Sequence, residues 1–215
     1  MNKLSKAVAV LANGYRSRSF AEFAGLLRVL LFRDDPIRIY VKTIGDPDVV
    51  ERWADPRITK GHVTELAAAR AIRNPVPWEL QCDIYDGVRD FFVYIENGTL
   101  GHISWLYYSD DPNRILRLEE GECEIKFCLT FPEFRGKGIY PAALHTIQRY
   151  LRERGCTRCF ICVKADNIAS IRGIEKAGFV SVGVTRFRKI LGVQISRPWS
   201  TRQLTKAGED RRWIA

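Results

Sequence analysis

The order of apolar and polar residues predicts a helix and then a strand in the first part of the chain. Ser19 and Glu22 form a capping box, after which apolar residues recur at helical spacing until Asp34. We expect this N-terminal helix to pack on the domain or, as an alternative, to lie as a basic helix on a membrane surface. Residues 37–44 alternate and are β-branched, which is typical of a strand, and residues 62–74 return to helical spacing.

The middle of the chain predicts a hairpin followed by a further strand. Two strand-like runs flank Asn97 and Gly98, a dipeptide that favours a tight β-hairpin turn. Residues 122–131, ECEIKFCLTF, also show a strand pattern, and they lead directly into a glycine-rich segment.

A helical stripe follows the glycine-rich segment. It begins at Ile139 and predicts a helix of about four turns that Gly155 ends. Residues 159–164 then predict a short buried strand, and residues 168–179 a second helix. A strand, a glycine loop, a helix and a strand form a parallel crossover unit, which places a ligand at the carboxyl end of its first strand.

Composition indicates one globular domain without disulfide bonds. The 215 residues are 46% hydrophobic and 11% aromatic, which is enough for one sizeable core. The six cysteines show no framework spacing, so we expect reduced thiols in a cytoplasmic protein. The stretch AVAVLA near the start is too short for the apolar part of a signal peptide, and FAGLLRVLLF is too short to span a bilayer.

The net charge of +9 favours an anionic partner, which a phosphorylated cofactor, a nucleic acid or a membrane surface would satisfy. Residues 131–146, FPEFRGKGIYPAALHT, narrow this choice, because two glycines and two cations stand between a strand and a helix. A helix N-terminus offers unpaired N–H groups, and glycines let the backbone close around an anion. The segment has neither the Walker pattern nor the third glycine of a dinucleotide-binding fingerprint. We therefore expect a diphosphate held by another type of loop.

This loop resembles the pyrophosphate-binding motif of the GNAT superfamily of acyl-CoA-dependent N-acetyltransferases. The family pattern Gln/Arg-x-x-Gly-x-Gly/Ala corresponds to the segment from Arg135 to Tyr140. Asn167 and residues 175–179, EKAGF, match the downstream signature, and the resemblance covers roughly residues 37–195. Tyr140 departs from the pattern, because the family usually has glycine or alanine at that position.

The resemblance implies an α/β protein of the mixed α+β kind, in which helices flank a splayed, mostly antiparallel sheet, here with an extra N-terminal helix. We expect a helical extension at residues 1–36, the acetyltransferase domain at residues 37–195 and a basic tail at residues 196–215. Acetyl-CoA would enter between two separating strands. The residues that the resemblance implies for its binding are Cys128, Leu129, Thr130, Arg135, Gly136, Lys137, Gly138, Ile139, Tyr140 and Asn167.

Acyl transfer to an amine needs a base, because an amine is mostly protonated at neutral pH and only its lone pair attacks a thioester. Strand periodicity places Glu122 and Glu124 on the same face of residues 122–131. Glu124 is the preferred base, with Glu122 in reserve, because its segment resembles the base-bearing strand of the histone-acetylating branch of the family. The alternative is a solvated glutamate on a sheet face.

The general acid has no clear candidate. Ile174 occupies the position where many family members carry a tyrosine that protonates the leaving thiolate. Tyr107, Tyr108 and Tyr140 are other tyrosines considered for the role, and none is assigned to it. A thiolate also leaves without full protonation.

Other residues with chemical potential are expected to be structural. Cys156, Cys159 and Cys162 have the spacing of some metal clusters, but they lack a nearby fourth ligand, and the last two would point to opposite faces of a strand. We expect packing thiols and no metal site. The histidines show no pairing with a cysteine, so structural or surface roles are expected for them. Core positions are expected for Trp53, Trp78 and Trp105.

Together these features predict an N-acetyltransferase that transfers an acetyl group from acetyl-CoA to a primary amine. An amino sugar or another small metabolite is the expected acceptor, and no nucleic-acid partner is expected. The first alternative is a noncatalytic acyl-CoA-binding or regulatory module. The second is a basic protein that binds a membrane or nucleic-acid surface.

Overall fold

The computed structural model describes residues 32–45, 55–112, 115–190, 193–196 and 198–202. Within this set, residues 38–184 and 198–202 belong to a larger compact unit, and residues 32–37 and 185–196 belong to a smaller one. The predicted N-terminal helix and most of the predicted basic tail lie outside the described residues, as does Trp53. None of the helices in the described ranges is long and apolar enough to cross a membrane.

The described elements include, in the predicted order, the strands and helices that the hydrophobic pattern indicates within the described residues, together with further short elements. The strands are β1 (Phe32–Thr43), β2 (Ile58–Lys60), β3 (Phe91–Glu96), β4 (Thr99–Tyr107), β5 (Leu116–Arg117), β6 (Glu122–Thr130), β7 (Arg158–Lys164), β8 (Val180–Ile190), β9 (Val193–Gln194) and β10 (Trp199–Ser200). The α-helices are α1 (Val63–Ala71), α2 (Cys82–Tyr85), α3 (Ile139–Glu153) and α4 (Ile168–Lys176). Two short 3₁₀ helices cover Trp78–Leu80 and Pro132–Phe134.

Strand β1 begins earlier than the sequence predicts. The prediction that the N-terminal helix continues to Asp34 is wrong at its end, because the chain is already extended from Phe32. Within the smaller unit, the Asp34 carboxylate lies 3.1 Å from Nε of Arg186 and 3.3 Å from Nε of Arg188. These ion pairs involve a charged residue within β1 that lies before residue 37, where the sequence predicts the strand to begin.

The larger unit is built on one mixed sheet with the strand order β2-β3-β4-β6-β7-β1-β8. Strands β2, β3, β4 and β6 pair antiparallel in turn, and β6 pairs parallel with β7. The predicted hairpin turn is confirmed, since Asn97 and Gly98 join β3 to β4 with positive φ angles of 50° and 73°. In the smaller unit, the end of β8 pairs antiparallel with β9.

Strands β6 and β7 separate before β6 ends. Their pairing runs from Glu122 opposite Arg158 to Ile125 opposite Ile161, and it stops there although β6 continues to Thr130. Strand β6 also carries a bulge against β4, and Phe127 within it has a φ of 49°. The splayed, mostly antiparallel sheet that the sequence predicts is therefore confirmed.

Helix α3 covers one face of the sheet through the apolar stripe that the sequence predicts. Ala143, Ile147 and Leu151 recur at helical spacing, and all three are fully buried. They belong to the same apolar cluster as Ile125 of β6 and Leu106 of β4. This packing fixes the N-terminus of α3 next to the splayed end of β6.

Candidate active site

A cleft of about 680 Å³ opens where β6 leaves β7. It lies at the carboxyl end of β6, between the N-termini of α3 and α4, as a parallel crossover unit predicts. The lining residues from β4, β6 and the segment before α2 are Glu79, His102, Cys128, Leu129 and Thr130. Those from the glycine loop and α3 are Phe134, Arg135, Gly136, Gly138, Ile139, Tyr140 and Pro141, and those from α4 are Asn167, Ala169, Ser170, Arg172, Gly173 and Lys176.

The glycine loop presents bare backbone to this cleft. Gly136 and Gly138 have φ angles of 77° and 73°, and a Cβ at either position would meet no atom within 4 Å. Gly138 is the N-cap of α3, so no side chain caps the first N–H groups, and the first turn contains no acidic residue. Pro141 in that turn removes an N–H that would otherwise need a partner. The helix end is therefore open to an anion.

The packing of Tyr140 explains how a large residue fits at a position where the family usually has glycine or alanine. Its ring lies on Gly173 of α4, where an added Cβ would be 2.6 Å from the Tyr140 Cδ1 atom. Burial raises the pKa of the Tyr140 hydroxyl well above its ordinary value. The large side chain thus lies against α4 and lines the cleft with its ring.

The last residues of β6 line the same cleft. Leu129 pairs with Ile103 of β4, while the edge that faced β7 earlier in the strand is open from Lys126 onward. The Thr130 carbonyl accepts a hydrogen bond of 3.0 Å from Nε of Arg135. This contact ties the glycine loop to the end of the strand.

His102 is a cleft residue that the sequence analysis placed among structural or surface histidines. It is fully buried, with Nδ1 2.7 Å from Thr130 Oγ1 and Nε2 2.7 Å from Ser104 Oγ. Its ring centroid lies 5.7 Å from that of Tyr140. Burial lowers the pKa of His102 to about 3, so the ring is neutral near pH 7. Its position inside the predicted strand, between apolar residues, is the sequence signal that favours its burial.

The cationic side chains of the cleft differ from those that the sequence suggests. Arg135, Arg172 and Lys176 line it, and the last two lie one helical turn apart on α4. Lys137 is not among the lining residues, because its ammonium lies 3.7 Å from the Glu96 carboxylate. Arg172 and Lys176 are four residues apart on the predicted helix, and this spacing is the sequence signal that places them on the same helix face.

Asn167 also lines the cleft, and it caps α4. Its Oδ1 atom accepts a hydrogen bond of 3.2 Å from the backbone N–H of Ser170. The cap fixes the start of α4 beside the cleft. The structure thus brings together all the residues that the resemblance implies for the cofactor, except the side chain of Lys137.

Glu122 is part of a buried polar cluster away from the cleft. Its carboxylate forms an ion pair with Arg158 and accepts hydrogen bonds of 2.5 Å from the Thr201 hydroxyl and 2.8 Å from the Glu119 N–H. The side chain is only 2% exposed. These partners give Glu122 a structural role that the sequence did not predict.

Glu124 lies on the same face of β6 as Glu122, as periodicity predicts, since the intervening Cys123 points into the core cluster. Glu124 is fully buried, so the alternative of a solvated glutamate is wrong. The thiol of Cys162 lies next to it, and burial together with the Glu124 carboxylate raises the pKa of that thiol well above its ordinary value. Glu124 is not among the residues that line the cleft.

Two of the three tyrosines named for the general-acid role, Tyr107 and Tyr108, form hydrogen bonds with carboxylates. The Tyr107 hydroxyl donates to Asp86 at 2.7 Å, and the Tyr108 hydroxyl donates to Asp90 at 3.0 Å. Burial is the main cause that raises the pKa of both hydroxyls. Ile174, at the position usual for the acid, is fully buried in the apolar core.

The cysteines are free thiols, as the sequence predicts. Cys159 packs in the main core beside Cys123, with a separation of 3.5 Å between their Sγ atoms, whereas Cys162 packs on the smaller apolar cluster of the other face. In the described ranges, no group of three or more His, Cys, Asp and Glu side chains is arranged to hold a metal ion.

Glu79 is a further lining residue that sequence analysis did not select. It lies in the 3₁₀ helix Trp78–Leu80, and it is the single carboxylate among the described residues that line the cleft. Burial raises the pKa of the Cys128 thiol to about 11, and the nearby Glu79 carboxylate adds to this shift. Trp78, predicted to be in the core, is 44% exposed, whereas Trp105 is fully buried.

Two comparisons with known sequences both identify similarity to N-acetyltransferases. A sequence model of the acetyltransferase (GNAT) domain matches residues 27–180 of this chain. The uncharacterized N-acetyltransferase YdgE of Bacillus subtilis is 30% identical over 146 residues, which are 66% of this chain and 87% of YdgE.

Solved structures share the fold. A GNAT-family acetyltransferase from Novosphingobium aromaticivorans aligns with a TM-score of 0.53 at 22% identity, over 72% of this chain and 63% of that protein. A GNAT-family acetyltransferase from Colwellia psychrerythraea gives a TM-score of 0.54 at 16% identity, over 73% of this chain and 56% of that protein. This chain therefore spans less than two thirds of the length of either structure, and at these identities the likeness concerns the fold alone.

Proposed function

The chain belongs to the GNAT acetyltransferase family, and from this premise we propose that it transfers an acetyl group from acetyl-CoA to the primary amine of a small molecule. The observation that carries the proposal is the open glycine loop at the N-terminus of α3, placed against the splayed end of β6. A diphosphate needs N–H groups without side chains in front of them, and Gly136 and Gly138 provide that arrangement.

The residues of the cleft fit coenzyme A at both of its polar parts. Backbone N–H groups from Arg135 to Tyr140 would hold the diphosphate, and the side chains of Arg135, Arg172 and Lys176 would supply positive charge for its phosphates. The open edge of β6 at Cys128, Leu129 and Thr130 would pair with the amides of the pantetheine arm. Asn167 would contact the same arm from the start of α4. Lys137 would contribute through its backbone.

Acetyl-CoA, when bound, supplies a thioester whose carbonyl carbon accepts the amine. The amine nitrogen would form the new C–N bond as the C–S bond breaks, and the sulfur would leave as the thiolate of coenzyme A. The proton that the amine loses would pass to the protein or to water. A neutral His102 and a protonated Tyr140 next to the cleft add no charge that would oppose this transfer.

We assign the role of base to Glu124. It lies four residues before Cys128 on β6. Because Glu124 is fully buried, its carboxylate would receive the proton through water and would not touch the amine directly. Glu122 is the less suitable base, since its carboxylate is already bonded to Arg158 and Thr201.

Binding of acetyl-CoA, measured by calorimetry, tests this proposal. The Gly138→Glu variant places a carboxylate where the diphosphate should lie. Gly155→Glu is the matched control, because Gly155 lies past the other end of α3 with a φ of 71° and the same open space around its Cβ. We expect Gly138→Glu to weaken binding by about tenfold or more and Gly155→Glu to leave it within about twofold.

Equal loss of binding in both glycine variants would mean that backbone strain, and not the loop, explains the effect. Absence of binding by folded wild-type protein would count against both the enzyme function and the noncatalytic acyl-CoA-binding alternative, and would favour the surface-binding alternative. Turnover with a panel of primary amines, glucosamine included as the amino sugar expected from the sequence, then tests the acceptor class.

A further inference from the structure

The charges that line the cleft are not distributed evenly. Its three cations, Arg135, Arg172 and Lys176, come from the glycine loop and from α4. Its carboxylate, Glu79, lies close to Cys128 of β6. The cations suit the phosphates of coenzyme A. A carboxylate at this point repels phosphate and attracts an ammonium group.

Glu79 is held in place by its backbone. Its carbonyl accepts a hydrogen bond of 2.7 Å from Nε1 of the buried Trp105, and the next carbonyl, of Leu80, accepts one of 2.7 Å from Nε of Arg70. Across the described part of the chain, the Glu79 carboxylate takes part in none of the ion pairs or side-chain hydrogen bonds. A fixed backbone with an available carboxylate is suited to bind a cationic ligand.

Exposed aromatic rings occur at the residue before Glu79 and at a residue whose ring is stacked on it. Trp78 stacks on Tyr85 with their ring centroids 4.7 Å apart and their planes at 9°, and Phe127 of β6 meets Trp78 edge-on at 6.3 Å. Trp78 and Tyr85 are 44% and 42% exposed. None of the three rings lines the cleft itself, but Trp78 precedes Glu79 and Phe127 precedes Cys128, and both Glu79 and Cys128 line it. The rings therefore leave an apolar surface near the cleft that a further flat ring can cover.

The backbone is strained at Phe127, which belongs to this group of aromatic residues. Phe127 has a φ of 49°, which a bulky residue rarely adopts, and it lies in the bulge immediately before Cys128. In this conformation its ring contacts both Trp78 and Tyr107. Such strain is often kept where it positions a functional group.

We propose that Glu79 and the aromatic group of Trp78, Tyr85 and Phe127 bind the acceptor, and that they select a primary amine attached to an aromatic ring by a short chain. The inference rests on the proposed function, because it places this amine beside the thioester end of bound acetyl-CoA. Glu79 acts as a positioning residue that holds the ammonium group, and Trp78 covers the ring.

The chemistry of this surface favours an aromatic amine over an amino sugar. A sugar needs several hydrogen-bonding partners for its hydroxyl groups, whereas the group of Trp78, Tyr85 and Phe127 offers ring faces. The Lys126 ammonium lies 5.1 Å from the centroid of the Phe127 ring. A second positive charge on the acceptor would meet this ammonium, so a monoamine fits better than a diamine.

The test uses 2-phenylethylamine, with glucosamine and 1,4-diaminobutane for comparison. Calorimetry on protein saturated with coenzyme A gives the affinity for each amine, and steady-state kinetics with acetyl-CoA gives KM and kcat separately. The variants are Glu79→Gln and Trp78→Leu. Their matched controls are Glu133→Gln, from the other 3₁₀ helix, and Trp199→Leu, a tryptophan that is 37% exposed on β10.

We expect 2-phenylethylamine to bind at least about tenfold more tightly than either comparison amine. Glu79→Gln and Trp78→Leu should each weaken that binding and raise its KM by about tenfold, with the affinity for coenzyme A within about twofold of wild type. The two control variants should behave as wild type.

Three results would each overturn the inference while leaving the proposed function intact. The first is tighter binding of glucosamine or 1,4-diaminobutane than of 2-phenylethylamine. The second is an unchanged affinity for 2-phenylethylamine in Glu79→Gln. The third is no measurable affinity for 2-phenylethylamine in wild-type protein that binds coenzyme A. Loss of coenzyme A binding by the wild type would instead count against the proposed function itself.

Discussion

Tyr140 and Gly173 fit together so closely that the size of one requires the absence of a side chain in the other. A Cβ at Gly173 would lie 2.6 Å from Cδ1 of the Tyr140 ring, a distance that real Cβ contacts do not reach. Gly173 lies in the interior of α4, where glycine is otherwise unfavourable. The tyrosine at the end of the glycine loop and the glycine in the second helix therefore form one structural feature of the cleft.

This contact predicts the sign of a double-mutant cycle. Gly173→Ala alone should lower the free energy of unfolding by about 2 kcal/mol, because the new methyl group overpacks the Tyr140 ring. In a Tyr140→Ala background, the same substitution should raise it by about 1 kcal/mol, since alanine is the better helix residue once the ring is gone. Urea denaturation of the four proteins measures the cycle. Additive effects would show that the two residues do not share the space.

Substitutions of the two glutamates of β6 should have different effects, one on catalytic activity and the other on stability. Glu124→Gln should lower kcat by about 100-fold, the contribution of a general base, with the affinity for acetyl-CoA nearly unchanged. Glu122→Gln should leave kcat close to wild type but lower the free energy of unfolding by about 3 kcal/mol, because it leaves Arg158 without its buried partner. A large loss of kcat in folded Glu122→Gln protein would reverse the assignment of the base.

Substitutions of Arg172 and Lys137 should differ in their effect on the affinity for acetyl-CoA. Arg172→Gln should weaken acetyl-CoA binding by about fivefold and reduce its dependence on salt, because Arg172 lines the cleft. Lys137→Gln should change the affinity by less than about twofold, since its ammonium lies next to Glu96. Calorimetry at two salt concentrations measures both effects. The opposite ranking would mean that Lys137 turns into the cleft when the ligand binds.

Buried His102 should make the protein sensitive to acid. Its folded pKa of about 3 is below the ordinary value, so the unfolded chain takes up a proton near pH 6.5 that the folded protein does not. The contribution of His102 to the free energy of unfolding is therefore fully present above about pH 6.5, and it is lost as the pH falls toward 3.

The measurement compares wild type with His102→Asn by urea denaturation at pH 7 and at pH 5. Wild type should lose about 2 kcal/mol more than the variant over this range. His145, whose pKa burial also lowers, is present in both proteins and cancels in the difference. Equal losses would show that His102 takes up a proton in the folded state.

The sequence determined the main elements and the open glycine loop because their signals are local. The apolar stripe of α3, the Asn97–Gly98 turn and the two glycines before Ile139 each act through residues close in the chain. The glycines and the open helix N-terminus need no distant partner to present N–H groups. The order of these motifs was also enough to indicate the family and the splayed sheet.

Tertiary structure decided which side chains share the cleft. Glu122 and Glu124 are two residues apart on one strand face, yet only contacts with Arg158 and Thr201 give the first a structural role. Glu79 lines the cleft from the segment before α2, which is far in sequence from the other lining residues. A hydrogen bond from Trp105 to its carbonyl holds its backbone there. Contacts between residues distant in sequence leave no periodic signal, so the pattern of a single chain predicts faces but not the partners that meet on them.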